Sequence, residues 1–161
     1  MGWIQLNGHG WKLTMGKTLL TGATGYFGQK ILQQMLLSKE QMLIPVRAAN
    51  EDEFKIRSEK ILWSLPEASR DRVEFIQGDL ASLYESLKAR SHHIHRIIHN
   101  AAVKAFNVDE QTANRVNRDG TVEMLKLARE CSHLKQFLYV STVYTSGMSA
   151  GPIDENIFAT K

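Results

Sequence analysis

Three glycines spaced three residues apart, in Thr21-Gly22-Ala23-Thr24-Gly25-Tyr26-Phe27-Gly28, constrain this chain more than any other feature. They lie between a short apolar run, Thr18 to Thr21, and a stripe of Ile31, Leu32, Met35 and Leu36 at helical spacing. A strand that turns at once into a helix needs a position without a Cβ at the tight turn. It needs another where helix and strand touch, and a third where a ligand approaches the backbone. Gly22, Gly25 and Gly28 supply these three positions. The amide groups that open such a helix have no partner within it and point with its dipole at an anion, so a pyrophosphate is the expected occupant. The spacing is G-x-x-G-x-x-G, a variant of the G-x-G-x-x-G dinucleotide fingerprint.

Beyond the turn, short apolar runs alternate with helical patterns, which predicts an α/β fold on a parallel sheet. The expected strands are Thr18 to Thr21, Met42 to Val46, Val73 to Gln77, Ile94 to His99 and Gln136 to Val140. Phe54, Ile61, Leu62 and Leu65 form a second helical stripe, opened by Asn50 with Glu53 three residues on and stopped by Pro66. A further helical stretch runs from about Asp109 to Cys131 with Gly120 inside it. Pro45 removes a ladder donor, so the second strand is expected to be irregular or one-sided there. Residues 1–14 fit none of these units. They read as a leader or an expression remnant ahead of Met15, with residues 15–161 as the nucleotide-binding domain and no internal repeat.

Composition narrows the class. The chain has 161 residues, 43% of them hydrophobic, which suits one domain with a core and excludes disorder. A single cysteine, Cys131, excludes a disulfide framework and fits a reducing cytoplasm. No run approaches the roughly 18 apolar residues of a membrane span, and the start MGWIQLNGHGWKL lacks the order of a signal peptide. Met1-Gly2 would invite myristoylation, but Leu6 stands where Ser or Thr is required. Twenty Lys and Arg against 17 Asp and Glu are scattered rather than clustered, which gives no footprint for nucleic acid.

The end of the second strand selects the dinucleotide. A carboxylate there would accept from a ribose 2′-hydroxyl, whereas a guanidinium can grip a 2′-phosphate. The residue is Arg47, with no carboxylate after it before Glu51, so NADP(H) is expected rather than NAD(H). Lys55 and Arg57, one or two helical turns on, are candidates to extend the phosphate site.

Further segments fall in register with these. They are Gly78-Asp79-Leu80 after the third strand, His99-Asn100-Ala101-Ala102 after the fourth, Asn117-x-x-Gly120-Thr121 in the last helix, and Tyr139-Val140-Ser141-Thr142-Val143-Tyr144 after the fifth. Together they resemble extended short-chain dehydrogenases/reductases over roughly residues 16–155. Arg47-Ala48, the His-Asn-Ala-Ala turn and the Ser-Thr-x-Tyr run closing on Gly147 resemble the thioester reductase and fatty acyl-CoA reductase, or male sterility-like, branch.

The resemblance implies a Rossmann-like doubly wound sheet and a cofactor site. That site comprises Gly22, Thr24, Gly25, Tyr26, Phe27, Gly28, Arg47, Arg57, Asp79, Leu80, Asn100, Ala101, Ala102 and Asn117, with Asp79 and Leu80 beside the adenine. It also implies that Thr142, with Ser141 as the neighbouring alternative, hydrogen-bonds a substrate carbonyl. The family's proton donor, a Tyr with a Lys four residues on, follows some thirty residues after that segment. Tyr84 and Lys88 carry the spacing but follow the third strand, where a surface helix is expected. The chain therefore reads as an amino-terminal portion whose sheet is cut after the fifth strand, part of a larger multidomain chain and inactive alone.

The expected function is the NADP(H)-binding portion of a reductase that converts an acyl thioester, on a carrier protein or coenzyme A, to aldehyde or alcohol. The alternatives are a nucleotide-sugar epimerase or dehydratase and, from another class, a non-catalytic NADP(H)-binding redox sensor. His92, His93 and His95 offer at most two zinc ligands on one face, so no metal is expected. Cys131 reads as a small buried hydrophobe, and His133 as a cation at a helix end. Trp3 and Trp11 lie outside the fold units, and Trp63 reads as packing.

Overall fold

A computed structural model of the chain describes residues 3–5, 12–14, 16–103, 108–142 and 151. Five parallel strands form one sheet: β3 (Lys17–Thr21), β4 (Gln41–Val46), β5 (Val73–Gln77), β6 (Ile94–His99) and β7 (Gln136–Tyr139). Their spatial order is β5-β4-β3-β6-β7, so the chain winds outward from β3 on one side and resumes beside β3 on the other. All five agree with the expected strands to within one residue at each end. The segment ahead of them holds backbone pairing of its own, β1 (Trp3–Gln5) antiparallel to β2 (Lys12–Thr14).

Alternation along each strand sends successive side chains to opposite faces and so divides the core in two. Leu20, Ile44 and Ile98 join Leu32 and Leu36 of α1 (Tyr26–Leu37) and Ile61 of α2 (Glu51–Trp63) on one face. Leu19, Leu43 and Ile97 join Leu83 and Leu87 of α3 (Leu83–Leu87) and Met124 and Leu127 of α5 (Gly120–Glu130) on the other. Cys131 is buried with this second group, and burial pushes its thiol up to about 11, so it packs rather than reacts. Trp63, by contrast, is exposed, with the Arg70 guanidinium 4.4 Å from its ring centre.

Local chemistry sets the boundaries of α2. Asn50 accepts from the Glu53 amide at 2.9 Å, and the Glu53 carboxylate accepts from the Ala49 amide at 2.6 Å. The last helical stretch is less uniform than its sequence: α4 (Glu110–Ala113) passes through a π-helical segment, Asn114–Asp119, before α5 begins. Pro45 lies two residues beyond Leu43, the last residue of β4 in register with β3, and faces only Ile76 of β5. The strand is one-sided there, as its missing donor requires. No helix among the described residues is long and apolar enough to cross a membrane.

Candidate functional site

The winding direction reverses between β3 and β6, and open α/β sheets bind ligands in the crevice beyond the strand ends at that point. A cleft of ≈ 510 Å³ opens there, walled by the turns after β3, β4, β5 and β6. Gly22 begins the first turn with φ +73°, and a Cβ on it would lie 2.9 Å from the Ala101 backbone. Gly28 lets α1 rest on that turn, since a Cβ there would come within 2.1 Å of the Gly22 carbonyl oxygen. Gly25 differs from both. Its Cβ would meet only the Gly22 oxygen, at 3.5 Å, so nothing in the fold forbids a side chain that would project into the cleft it lines.

The two long helices on this face open differently. Helix α2 has its Asn50 cap and Glu51, Asp52 and Glu53 in its first turn, whereas α1 has no side-chain cap and no acidic residue there. The first amide groups of α1 are thus left for an anion. Beneath them, Asn100 donates weakly to the Gly22 carbonyl at 3.4 Å, while its Oδ1 is buried without a protein partner among the described residues. Such an atom costs free energy unless a ligand or water satisfies it. A bare helix start, an open glycine cradle and an orphaned acceptor can together hold a diphosphate and a polar group beside it.

At one end of the cleft, Arg47 follows β4 and is exposed. Arg57 donates to the Arg47 carbonyl at 3.0 Å and pairs with Glu53 at 2.5 Å, which fixes its guanidinium beside the Arg47 backbone. The bond from the Ala49 amide, with help from Arg57, holds the Glu53 carboxyl below its usual range. At the β5 turn, Asp79 pairs with Arg115 of the π-helical segment at 3.3 Å. Leu80 packs against Gly120, where a Cβ would approach to 2.5 Å.

The cleft thus brings together Gly22, Thr24, Gly25, Tyr26, Phe27, Gly28, Arg47, Arg57, Asp79, Leu80, Asn100, Ala101 and Ala102. Asn117 stands outside the lining, with its amide committed to the Val103 backbone: Oδ1 accepts from the amide at 2.8 Å and Nδ2 donates to the carbonyl at 3.2 Å. Ser141 and Thr142 are exposed just past β7, outside the lining, while Tyr144 and Gly147 lie outside the described residues. Lys55 does not reach the cleft. Tyr84 is also outside it, and Lys88 pairs with Glu85 at 2.5 Å.

Sequence reasoning passes over several wall residues. Thr21 and Gly78 stand in quoted motifs without being assigned to the site, Pro45 is marked only as a strand irregularity, and Leu83, Val103 and Val116 line the cleft with nothing in their local pattern to mark them. It also passes over a second Tyr-x-x-x-Lys, Tyr26 to Lys30. Tyr26 is 81% exposed on the cleft rim, and the Lys30 ammonium lies 5.8 Å from its ring centre. Of the histidines, His92 and His93 adjoin each other and His95 pairs with Glu40 at 3.3 Å. No group of three metal-binding side chains occurs among the described residues.

Comparison with known proteins places this geometry. The family model described as Male sterility protein matches residues 20–161. The chain is 32% identical over 129 residues to the NRPS-like oxidoreductase fscA of Fusarium equiseti, covering 77% of this chain and 12% of the relative. It is 29% identical over 140 residues to the fatty acyl-CoA reductase wat of Drosophila melanogaster, covering 78% and 27% respectively. Among solved structures, the terminal R domain from the myxalamid PKS-NRPS biosynthetic pathway superposes with a TM-score of 0.74 at 27% identity, over 90% of this chain and 40% of that one. The chain therefore spans only a minor part of the proteins it matches.

Proposed function

The chain belongs to the male sterility protein family of NAD(P)-dependent acyl reductases, and on that premise we propose that it is the NADP(H)-binding portion of a thioester reductase. The substrate is an acyl group on coenzyme A or a carrier protein, and the product is the aldehyde or alcohol. The observation that carries the cofactor half is the cleft itself, with an uncapped helix start at its centre and two guanidiniums at its β4 end. The thioester half is supported by the relatives, one a fatty acyl-CoA reductase and another an NRPS-like oxidoreductase.

In this reading the amides that open α1 bind the diphosphate, and the Gly25 position leaves it room. Arg47 and Arg57 hold the ribose 2′-phosphate, and Asp79 and Leu80 flank the adenine. Bound NADPH supplies a hydride. Thr142, with Ser141 beside it, donates to the thioester carbonyl oxygen, which gains negative charge as the hydride arrives. The thioester takes up that hydride and a proton and releases a thiol, leaving the aldehyde. No proton donor is proposed among the described residues, and turnover is proposed for a protein of its relatives' length. A cytoplasmic setting, where NADPH and acyl thioesters meet, is part of the same proposal.

The test is reduction of acyl-CoA and acyl-carrier-protein thioesters with NADPH by a protein that carries this chain at its relatives' length, with thiol release and aldehyde formation followed together. Thr142→Ala should lower kcat by about a hundredfold or more, as the loss of a donor to a developing oxyanion does elsewhere. Unchanged kcat removes Thr142 from the chemistry. Turnover of a nucleotide sugar but not of any thioester would favour the epimerase or dehydratase reading, and cofactor binding without any turnover would favour the sensor.

A further inference from the structure

The residue before the Asn-Ala-Ala turn, His99, is fully buried and meets a hydroxyl at each ring nitrogen. Nδ1 lies 2.8 Å from Thr21 Oγ1 at the end of β3, and Nε2 lies 3.1 Å from Thr121 Oγ1 on α5. A neutral imidazole has one donor and one acceptor, and the surrounding bonds decide which nitrogen is which. Thr21 Oγ1 accepts from both the Asn100 and the Ala101 amides, at 3.1 Å each, which fills its two lone pairs. Its own hydrogen must then go to His99 Nδ1. Nε2 carries the ring proton and donates to Thr121 Oγ1, and the Thr121 hydroxyl donates to the Asn117 carbonyl at 2.6 Å. Donors and acceptors match one to one along this path. The Asn117 side chain then closes on both backbone groups of Val103.

The four residues between these anchors, Asn100 to Val103, form one wall of the cleft. Thr21 holds the first end of the wall and Asn117 the last, and the His99 ring joins the two holders across the gap between β3 and α5. We infer that His99 is a positioning residue of the cofactor site, a neutral imidazole protonated at Nε2 that sets the Asn100–Val103 wall in its binding conformation. The inference rests on the proposed binding of NADP(H) in this cleft. With both nitrogens engaged, the ring is neither a proton shuttle nor a metal ligand. Its effect is to remove conformational freedom from the wall before the cofactor arrives, which raises affinity without a direct contact.

A charged ring does not fit the same path, because Nδ1–H would face an oxygen with no lone pair left. Burial acts in the same direction, holding the imidazole down at about 4. Around the ring, Thr21 and Thr121 are uncharged. Tyr139 of β7, stacked 5.5 Å away at 15°, is the titratable group it meets.

Two measurements test the inference. The first is nitrogen-15 NMR of histidine-labelled protein between pH 8 and 5.5. The expected spectrum has an unprotonated Nδ1 and a protonated Nε2 for His99 throughout, and an Nδ1–H tautomer or an imidazolium at pH 7 overturns the assignment. The second is titration with NADPH and with NADH of the wild type, Thr121→Val and Thr121→Ser, with circular dichroism as the check on folding. Thr121 does not line the cleft. Valine should weaken both nucleotides by about tenfold and leave their ratio unchanged, while serine should restore affinity to within about twofold of wild type. Wild-type affinity in the valine variant, or no rescue by serine, overturns the positioning role alone. A wild-type chain that takes up neither nucleotide overturns the cofactor reading on which the role depends.

Discussion

Gly25 and Gly28 stand three residues apart in one motif, yet they answer to different constraints. At Gly28 a methyl group would run into the Gly22 carbonyl carbon and oxygen, both backbone atoms that cannot step aside. Gly28→Ala is therefore expected to cost about 2 kcal/mol or more in a denaturant melt, as overpacking does in cores. At Gly25 the backbone is extended, with φ −83° and ψ 161°, and a methyl group meets nothing closer than 3.5 Å. Gly25→Ala should stay within about 1 kcal/mol of wild type in stability, yet bind NADPH at least about tenfold more weakly if the methyl group takes up space meant for the diphosphate. Equal affinities for Gly25→Ala and wild type would show that the position is open to solvent alone. The local sequence presents the two glycines alike, and only the neighbours brought in by folding separate them.

At the scale of elements, the site is assembled where four strand ends meet helices, and its stability depends on pH through the ends of β3 and β6. The buried imidazole at the end of β6 binds a proton only near pH 4, whereas in the unfolded chain it does so near the ordinary 6.5. Between those values the unfolded state holds more protons than the native state, so stability falls as the pH drops from about 6.5 toward 4. The expected loss between pH 7 and 5 is about 2 kcal/mol, read as a shift in the denaturant midpoint; a flat profile over that interval contradicts the burial of a neutral ring. His93, also held below its ordinary value by desolvation, contributes in the same direction. A related expectation concerns α5, where Gly120 lets the helix lie against Leu80. Gly120→Ala should push Leu80 toward the cleft it lines and weaken NADPH and NADH together, whereas a change for one nucleotide alone would contradict this geometry.

Across the whole molecule, short apolar runs made all five sheet strands legible, and the helix stripes of α1 and α2 were legible because their buried residues recur at helical spacing. Of the thirteen cleft residues named from the sequence, those of the glycine turn, Arg47 and Arg57 were legible from the residues themselves, whereas Asp79, Leu80, Asn100, Ala101 and Ala102 were legible only through the family resemblance. Asn117 was legible as part of a motif but not in its position, since its partner Val103 lies 14 residues away. The path through His99 was invisible for the same reason: it joins residues 78 and 22 apart, and a hydrogen bond across the sheet leaves no periodic trace. The π-helical turn at Asn114–Asp119 was hidden because one wide turn barely disturbs the apolar spacing on either side. The β1–β2 pairing was missed because three-residue strands carry too few residues to alternate.

The claim that joins these scales is that the cleft takes a nicotinamide dinucleotide and that Arg47 selects its phosphate-bearing form. Calorimetric titration of the folded chain with NADPH and NADH, in the wild type and in Arg47→Ala, tests it most directly. NADPH should bind the wild type at least about tenfold more tightly than NADH, in keeping with a charge-assisted guanidinium–phosphate contact, and Arg47→Ala should bring the two affinities together by weakening NADPH alone. Saturable binding of neither nucleotide, or an affinity ratio that Arg47→Ala leaves untouched, would contradict the account.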